Sequence, residues 1–163
     1  MSILIKNQWK ITLNQGRERS NNIMRLQQYI NELFDTDVDI KVNTEDFSTV
    51  IYEFEIDGIK FEFNANNENG TWEIIFSGKK RSTGITGTGN APQVFAGIAK
   101  CTDMFLKKYK PIEFYFSAKE RSRVKLYKRF SKVITKKYPY VFRLDKNYDD
   151  GEDMFVFTNK KYL

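Results

Sequence analysis

Two periods divide this chain. Apolar residues recur at every second position over much of 38–77, and at every third or fourth position in stretches before and after it. Ile3, Ile5, Trp9, Ile11 and Leu13 predict an opening strand or two over 3–14. A polar loop over 15–21 leads to a helix over 22–34, where Ile23, Leu26, Ile30, Leu33 and Phe34 share a face. Ser20 or Asn21 is placed to cap it, and Asp35-Thr36-Asp37 ends it. Val38, Ile40 and Val42 then alternate with Asp37, Asp39 and Lys41. The run Phe47–Ile56 ends in Asp57-Gly58, a strong hairpin signal. Ile59, Phe61 and Phe63 follow, then a second turn over 66–70, then a strand carrying Trp72, Ile74 and Phe76. This block reads as an antiparallel meander with one buried face.

Beyond residue 90 the period lengthens. Val94, Phe95, Ile98, Ala99, Thr102, Phe105, Leu106 and Tyr109 form one broad stripe over 92–110. Pro92 is tolerated in the first helical turn, and Lys107, Lys108 and Lys110 suit the C-terminal end. Pro111 marks the exit. The dense segment 112–116 predicts a central strand buried on both faces. A second helix is expected over 120–137, with Val124, Tyr127, Phe130, Val133 and Ile134 inward and lysines and arginines outward. Two strands, 140–144 and 154–158, joined by a hairpin loop, close the chain. The order predicts an α+β fold, a mixed and mostly antiparallel sheet with helices on both sides, in one domain over 1–163. The strands on either side of residues 82–90 should be parallel neighbours linked by a right-handed crossover.

Composition narrows the chemistry. The 163 residues are 40% hydrophobic and 15% aromatic, ample for a core. Histidine is absent, which excludes Ser-His-Asp and Cys-His catalysis and His-ligated metals. A lone cysteine, Cys101, excludes an internal disulfide and a cysteine-cluster zinc site, so no metal is expected. Its place on a helical apolar stripe points to a buried, inert thiol. No signal peptide is visible and no apolar run approaches membrane length, so a soluble, cytoplasmic protein is expected. The net charge of +6 favours anionic partners.

Two stretches carry the candidate chemistry. Ser82-Thr83-Gly84-Ile85-Thr86-Gly87-Thr88-Gly89-Asn90 joins a strand to a helix. It reads either as a glycine-rich turn or as a loop that brings main-chain N–H groups to an anion at a helix N-terminus. The helix over 120–137 presents Arg121, Arg123, Lys125, Lys128, Arg129 and Lys132, a solvated face or a surface for nucleic acid or an acidic protein.

The glycine loop, the helix after it, the strand 112–117 and the segment Arg123-Val124-Lys125-Leu126-Tyr127-Lys128-Arg129-Phe130 together resemble the core of GNAT-type N-acyltransferases. The likeness covers about 82–132 and extends to the order of strands and helices. It also touches small bacteriophage proteins with a glycine loop and a Ser-Arg-Val-Lys-Leu-Tyr segment, which would put the chain in a host cytoplasm or a virion. The resemblance implies transfer of an acetyl group from acetyl-CoA to an amine, or a catalytically degenerate relative. It implies that Gly84, Thr86, Gly87, Thr88, Gly89, Asn90 and Arg81 hold the pyrophosphate, with Lys79 and Lys80 adding charge. It implies that Tyr127 protonates the leaving thiolate, although Tyr127 also reads as a core residue on its stripe. With Gly87-Thr88-Gly89 set on the family's Gly-x-Gly, Gly84 stands where the family has Arg or Gln; with Arg81 set there instead, Thr86 replaces the last small residue. Glu120 stands where the family has Asn, Arg123 where it has Ala, and Ser131-Lys132 where it has Gly-Phe. No residue is identified as the base: Glu73 and Glu113 lie on the strands that would offer one, but read better as solvated strand positions. The alternative is a non-enzymatic, phage-type binding or structural protein acting through its basic surface.

Overall fold

The computed structural model describes residues 37–78, 91–146 and 151–163, together with Gln28. The strands and helices below all belong to one compact unit, Thr36–Leu163. The expected strands over 3–14 and helix over 22–34 lie outside the described residues, Gln28 apart.

The architecture is α+β. Seven strands form one mixed sheet: β1 (Lys41–Glu45), β2 (Thr49–Ile56), β3 (Ile59–Glu68), β4 (Thr71–Gly78), β5 (Glu113–Ala118), β6 (Tyr140–Asp145) and β7 (Asp153–Asn159). Helix α1 (Ala91–Tyr109) separates β4 from β5, and α2 (Arg121–Lys137) separates β5 from β6. The spatial order is β1-β2-β3-β4-β5-β7-β6. Every neighbouring pair is antiparallel except β4 and β5, the parallel pair expected across the glycine loop.

The meander is set by its turns. Asp57-Gly58 and Asn69-Gly70 both take positive φ, the conformation that a two-residue hairpin needs to match strand twist. The second turn is shorter than the asparagine run 66–70 predicts. Asn66 and Asn67 pair with Glu73 and Trp72 inside the ladder, and only Asn69-Gly70 turns. Asn67 holds that turn: its Oδ1 accepts from the Gly70 N–H at 2.9 Å and its Nδ2 donates to the Phe47 carbonyl at 3.3 Å. The first strand of the meander also begins later than the Val38–Val42 alternation suggests. Val38 is buried outside the ladder, where its carbonyl accepts a hydrogen bond from Lys100 Nζ at 2.7 Å.

One face of the sheet is a sheet of rings. Tyr52, Phe54, Phe61, Phe63, Trp72, Phe114, Phe116, Phe155 and Phe157 alternate inward and are buried. Helices α1 and α2 cover this same face, meeting through Phe95 and Phe130 with ring centroids 5.3 Å apart. Phe105 of α1 packs on Phe63 and Trp72, and Tyr127 of α2 packs on Phe76, Phe116 and Phe155. The expectation of helices on both sides is therefore met on one side only among the described residues. β5 is central, but it is not buried on both faces: Ile112 just before it is 48% exposed and Ser117 is exposed. None of the helices among the described residues is long and apolar enough to cross a membrane.

Candidate functional site

β4 and β5 pair at only three positions: Thr71 with Glu113, Trp72 with Phe114 and Glu73 with Tyr115. Beyond them β4 continues to Gly78 and β5 to Ala118, each still paired on its outer side, to β3 and β7. No described strand pairs with their inner edges there. The parting leaves main-chain N–H and C=O groups on the inner edges without a ladder partner among the described residues. Aromatic rings pack beside the gap on the helix side. Phe76 and Phe116 stand edge to face at 6.1 Å, and the Tyr127 ring lies against both, at 6.0 and 4.8 Å.

The opening gives a cleft of about 200 Å³ whose lining includes Phe76, Ser117, Arg123, Tyr127, Glu73 and Glu152. A second cleft, about 430 Å³, lies on the side away from the helices, with Glu73, Glu113, Tyr115, Arg143, Asp145 and Glu152 in its wall. Glu73, Ser117 and Glu152 line both. The two clefts thus meet where the strands part.

The electrostatics differ between the two. In the smaller cleft, burial raises the Tyr127 hydroxyl to about 12 against the opposing pull of the Arg123 charge. Arg123 Nε lies 3.4 Å from the Glu120 carboxylate, so this cation and anion offset each other. The larger cleft is acidic. Four carboxylates, Glu73, Glu113, Asp145 and Glu152, face one cation, and that cation, Arg143, is paired with Asp145 at 2.9 Å. Glu113 also accepts from the Thr158 hydroxyl at 3.2 Å.

Of the sequence candidates, Tyr127, Glu73 and Glu113 line the clefts. Gly84, Thr86, Gly87, Thr88, Gly89, Asn90, Arg81, Lys79 and Lys80 lie outside the described residues. They belong to the stretch between the end of β4 and the start of α1. Of the basic residues singled out on α2, Arg121, Lys125, Lys128, Arg129 and Lys132 are exposed. Arg123 is half-buried and belongs to the cleft instead. Cys101 is fully buried, and burial pushes its thiol up to about 12, the inert state its stripe predicts. Ser117, Asp145 and Glu152 were not legible as site residues. Ser117 continues the Glu113, Tyr115 alternation and was open to that inference. Glu152 sits beside a hairpin loop, where a carboxylate reads as turn chemistry. Among the described residues no group of acidic or cysteine side chains is arranged to hold a metal ion. No family model, no curated protein and no solved structure matches this chain.

Proposed function

We propose that the chain is a GNAT-like N-acyltransferase that moves an acetyl group from acetyl-CoA to an amine. The carrying observation is the parallel pair that parts after three positions, with a cleft on each face meeting at the gap. Direct acyl transfer needs a donor and an acceptor that approach one point from different sides. The strand order and the glycine-loop resemblance support the same reading.

The residues fit the cofactor's arm. The free inner edges of β4 from Ile74 and of β5 from Phe116 offer main-chain donors and acceptors to an extended chain carrying amides. When bound, the cofactor supplies an activated carbonyl and a sulfur leaving group. A main-chain N–H on the inner edge of β4 polarises that carbonyl. The resembled loop around Gly87 and Gly89 holds the pyrophosphate. Tyr127 has a narrower role than the resemblance implies. A phenol at about 12 does not give its proton to a sulfur whose thiol titrates near 8.5. It stays protonated and steadies the departing sulfur as a hydrogen-bond donor. Glu73, common to both clefts, takes the proton from the attacking amine. The acidic cleft receives that amine in its cationic form; the proton Glu73 takes frees the nitrogen lone pair, and the second proton, released as the amide forms, goes to the departing sulfur.

Calorimetric titration with acetyl-CoA tests the reading, on wild type and Gly87→Trp, followed by thiol release with a panel of primary amines. Saturable binding that Gly87→Trp abolishes is expected. Glu73→Gln should keep that binding and lower turnover by about 100-fold or more. No binding at about 1 mM cofactor would overturn the proposal. Binding without thiol release from any amine would mark a degenerate relative.

A further inference from the structure

Helix α2 contains no acidic residue, and its basic residues divide into two sets. Arg123 and Lys137 are engaged, with Glu120 at 3.4 Å and Asp103 at 2.6 Å. Arg121, Lys125, Lys128, Lys132 and Lys136 are separated by four, three, four and four positions, so they rise along one face as a single stripe. Arg129 flanks it. All six are exposed, and none forms an ion pair among the described residues. At about 1.5 Å per residue the stripe is about 22 Å long.

The geometry points to a docking surface for the phosphate backbone of duplex DNA. Charge complementarity is one argument. A continuous row of cations with no counter-ion of its own neutralises phosphates and releases their condensed ions. The second argument is what the face lacks. Of the apolar residues on α2, Tyr127, Phe130, Val133 and Ile134 are buried, Val124 and Leu126 are half-buried, and none is an exposed large hydrophobic. Protein partners are gripped through aromatic or aliphatic anchors in a desolvated centre, and this face offers none. Single strands need rings on which bases stack, and these are missing too. The stripe is one arginine and four lysines, long cations that suit phosphates, and phosphate contacts position a helix without reading sequence. The B-form major groove admits an α-helix, whereas the A-form groove of duplex RNA is too narrow. This activity is separate from acyl transfer, since the stripe lies outside both clefts.

Fluorescence anisotropy with a labelled DNA duplex of about two turns tests it, without cofactor. With five or six phosphate contacts, affinity should fall about 500- to 2,000-fold between about 50 and about 200 mM salt. Lys125→Gln/Lys128→Gln/Lys132→Gln should flatten that slope by about three contacts and weaken binding at least tenfold at low salt. The charge-reversed Glu triple should abolish binding. Circular dichroism and Cys101 protection from thiol reagents confirm that both variants are folded. The inference is overturned if wild type does not bind, if binding ignores salt, or if the triples bind like wild type. It is equally overturned if polyglutamate, single-stranded DNA or duplex RNA competes better than duplex DNA.

Discussion

Asp103 is a carboxylate held by donors from three other residues. It sits on α1 and meets Lys107 at 2.6 Å, Lys137 of α2 at 2.6 Å and the hydroxyl of Tyr138. Burial works against its charge, but these three donors together outweigh burial and hold its carboxyl below the ordinary range. A depressed folded-state pKa gives stability that is complete above the unfolded value of about 3.9 and lost as pH falls through the lower folded value. Asp103→Asn should therefore cost about 1–3 kcal/mol at neutral pH in urea unfolding. The gap to wild type should close as the pH is lowered toward about 2. A gap of constant size over that range would show that charge is not the cause. The sequence displayed some residues of this kind and hid others. Tyr127 lay on an apolar stripe, so its burial was readable. Its service to an opening between strands was not, because periodicity names a face and never what that face abuts.

At the level of elements, α1 crosses the meander at Gly97. A Cβ there would lie 2.4–2.6 Å from three atoms of the Phe54 ring, and Phe54 is itself buried. Glycine inside a helix normally costs about 1 kcal/mol relative to alanine. Here that loss is the condition for helix and sheet to touch. Gly97→Ala should destabilise by about 1–3 kcal/mol net, since overpacking outweighs the gain in propensity. Adding Phe54→Leu should recover part of the loss. Thermal melts of the two variants check this, and a Gly97→Ala protein more stable than wild type would refute the close approach. Element positions were legible because strong signals agreed: alternation, Asp-Gly and Asn-Gly turns, and prolines beside α1. They failed where polar residues extended a strand. Asn66 and Asn67 look like turn residues, yet the ladder continues through them because each still finds a cross-strand partner.

Across the whole molecule, charge is sorted. The chain carries +6, yet the cleft away from the helices holds four carboxylates around one paired arginine, while α2 carries its cations on the other side. If that cleft receives the acceptor, a diamine carrying two charges should show a lower KM than a monoamine of equal length. The advantage should fade between about 0.01 M and about 1 M salt, as the Debye length shrinks from about 30 to about 3 Å. Equal KM values at low salt would remove the acidic cleft from acceptor recognition. This sorting was not legible in advance. Glu73, Glu113, Asp145 and Glu152 are scattered along the chain and converge only through strand order, in which β7 inserts between β5 and β6.

The same strand order has a kinetic consequence. Strands β1 to β4 close on turns of two or three residues. The three β4–β5 pairs wait for a connection that runs through the glycine loop and all of α1. Loop closure of that length is the slow kind, and it is repaid only when α1 docks. The narrow seam that leaves the clefts open is thus also where the chain's two lengths of sheet must find each other. Any change that zipped the seam further would bind the two lengths of sheet more firmly and shut the passage in the same act.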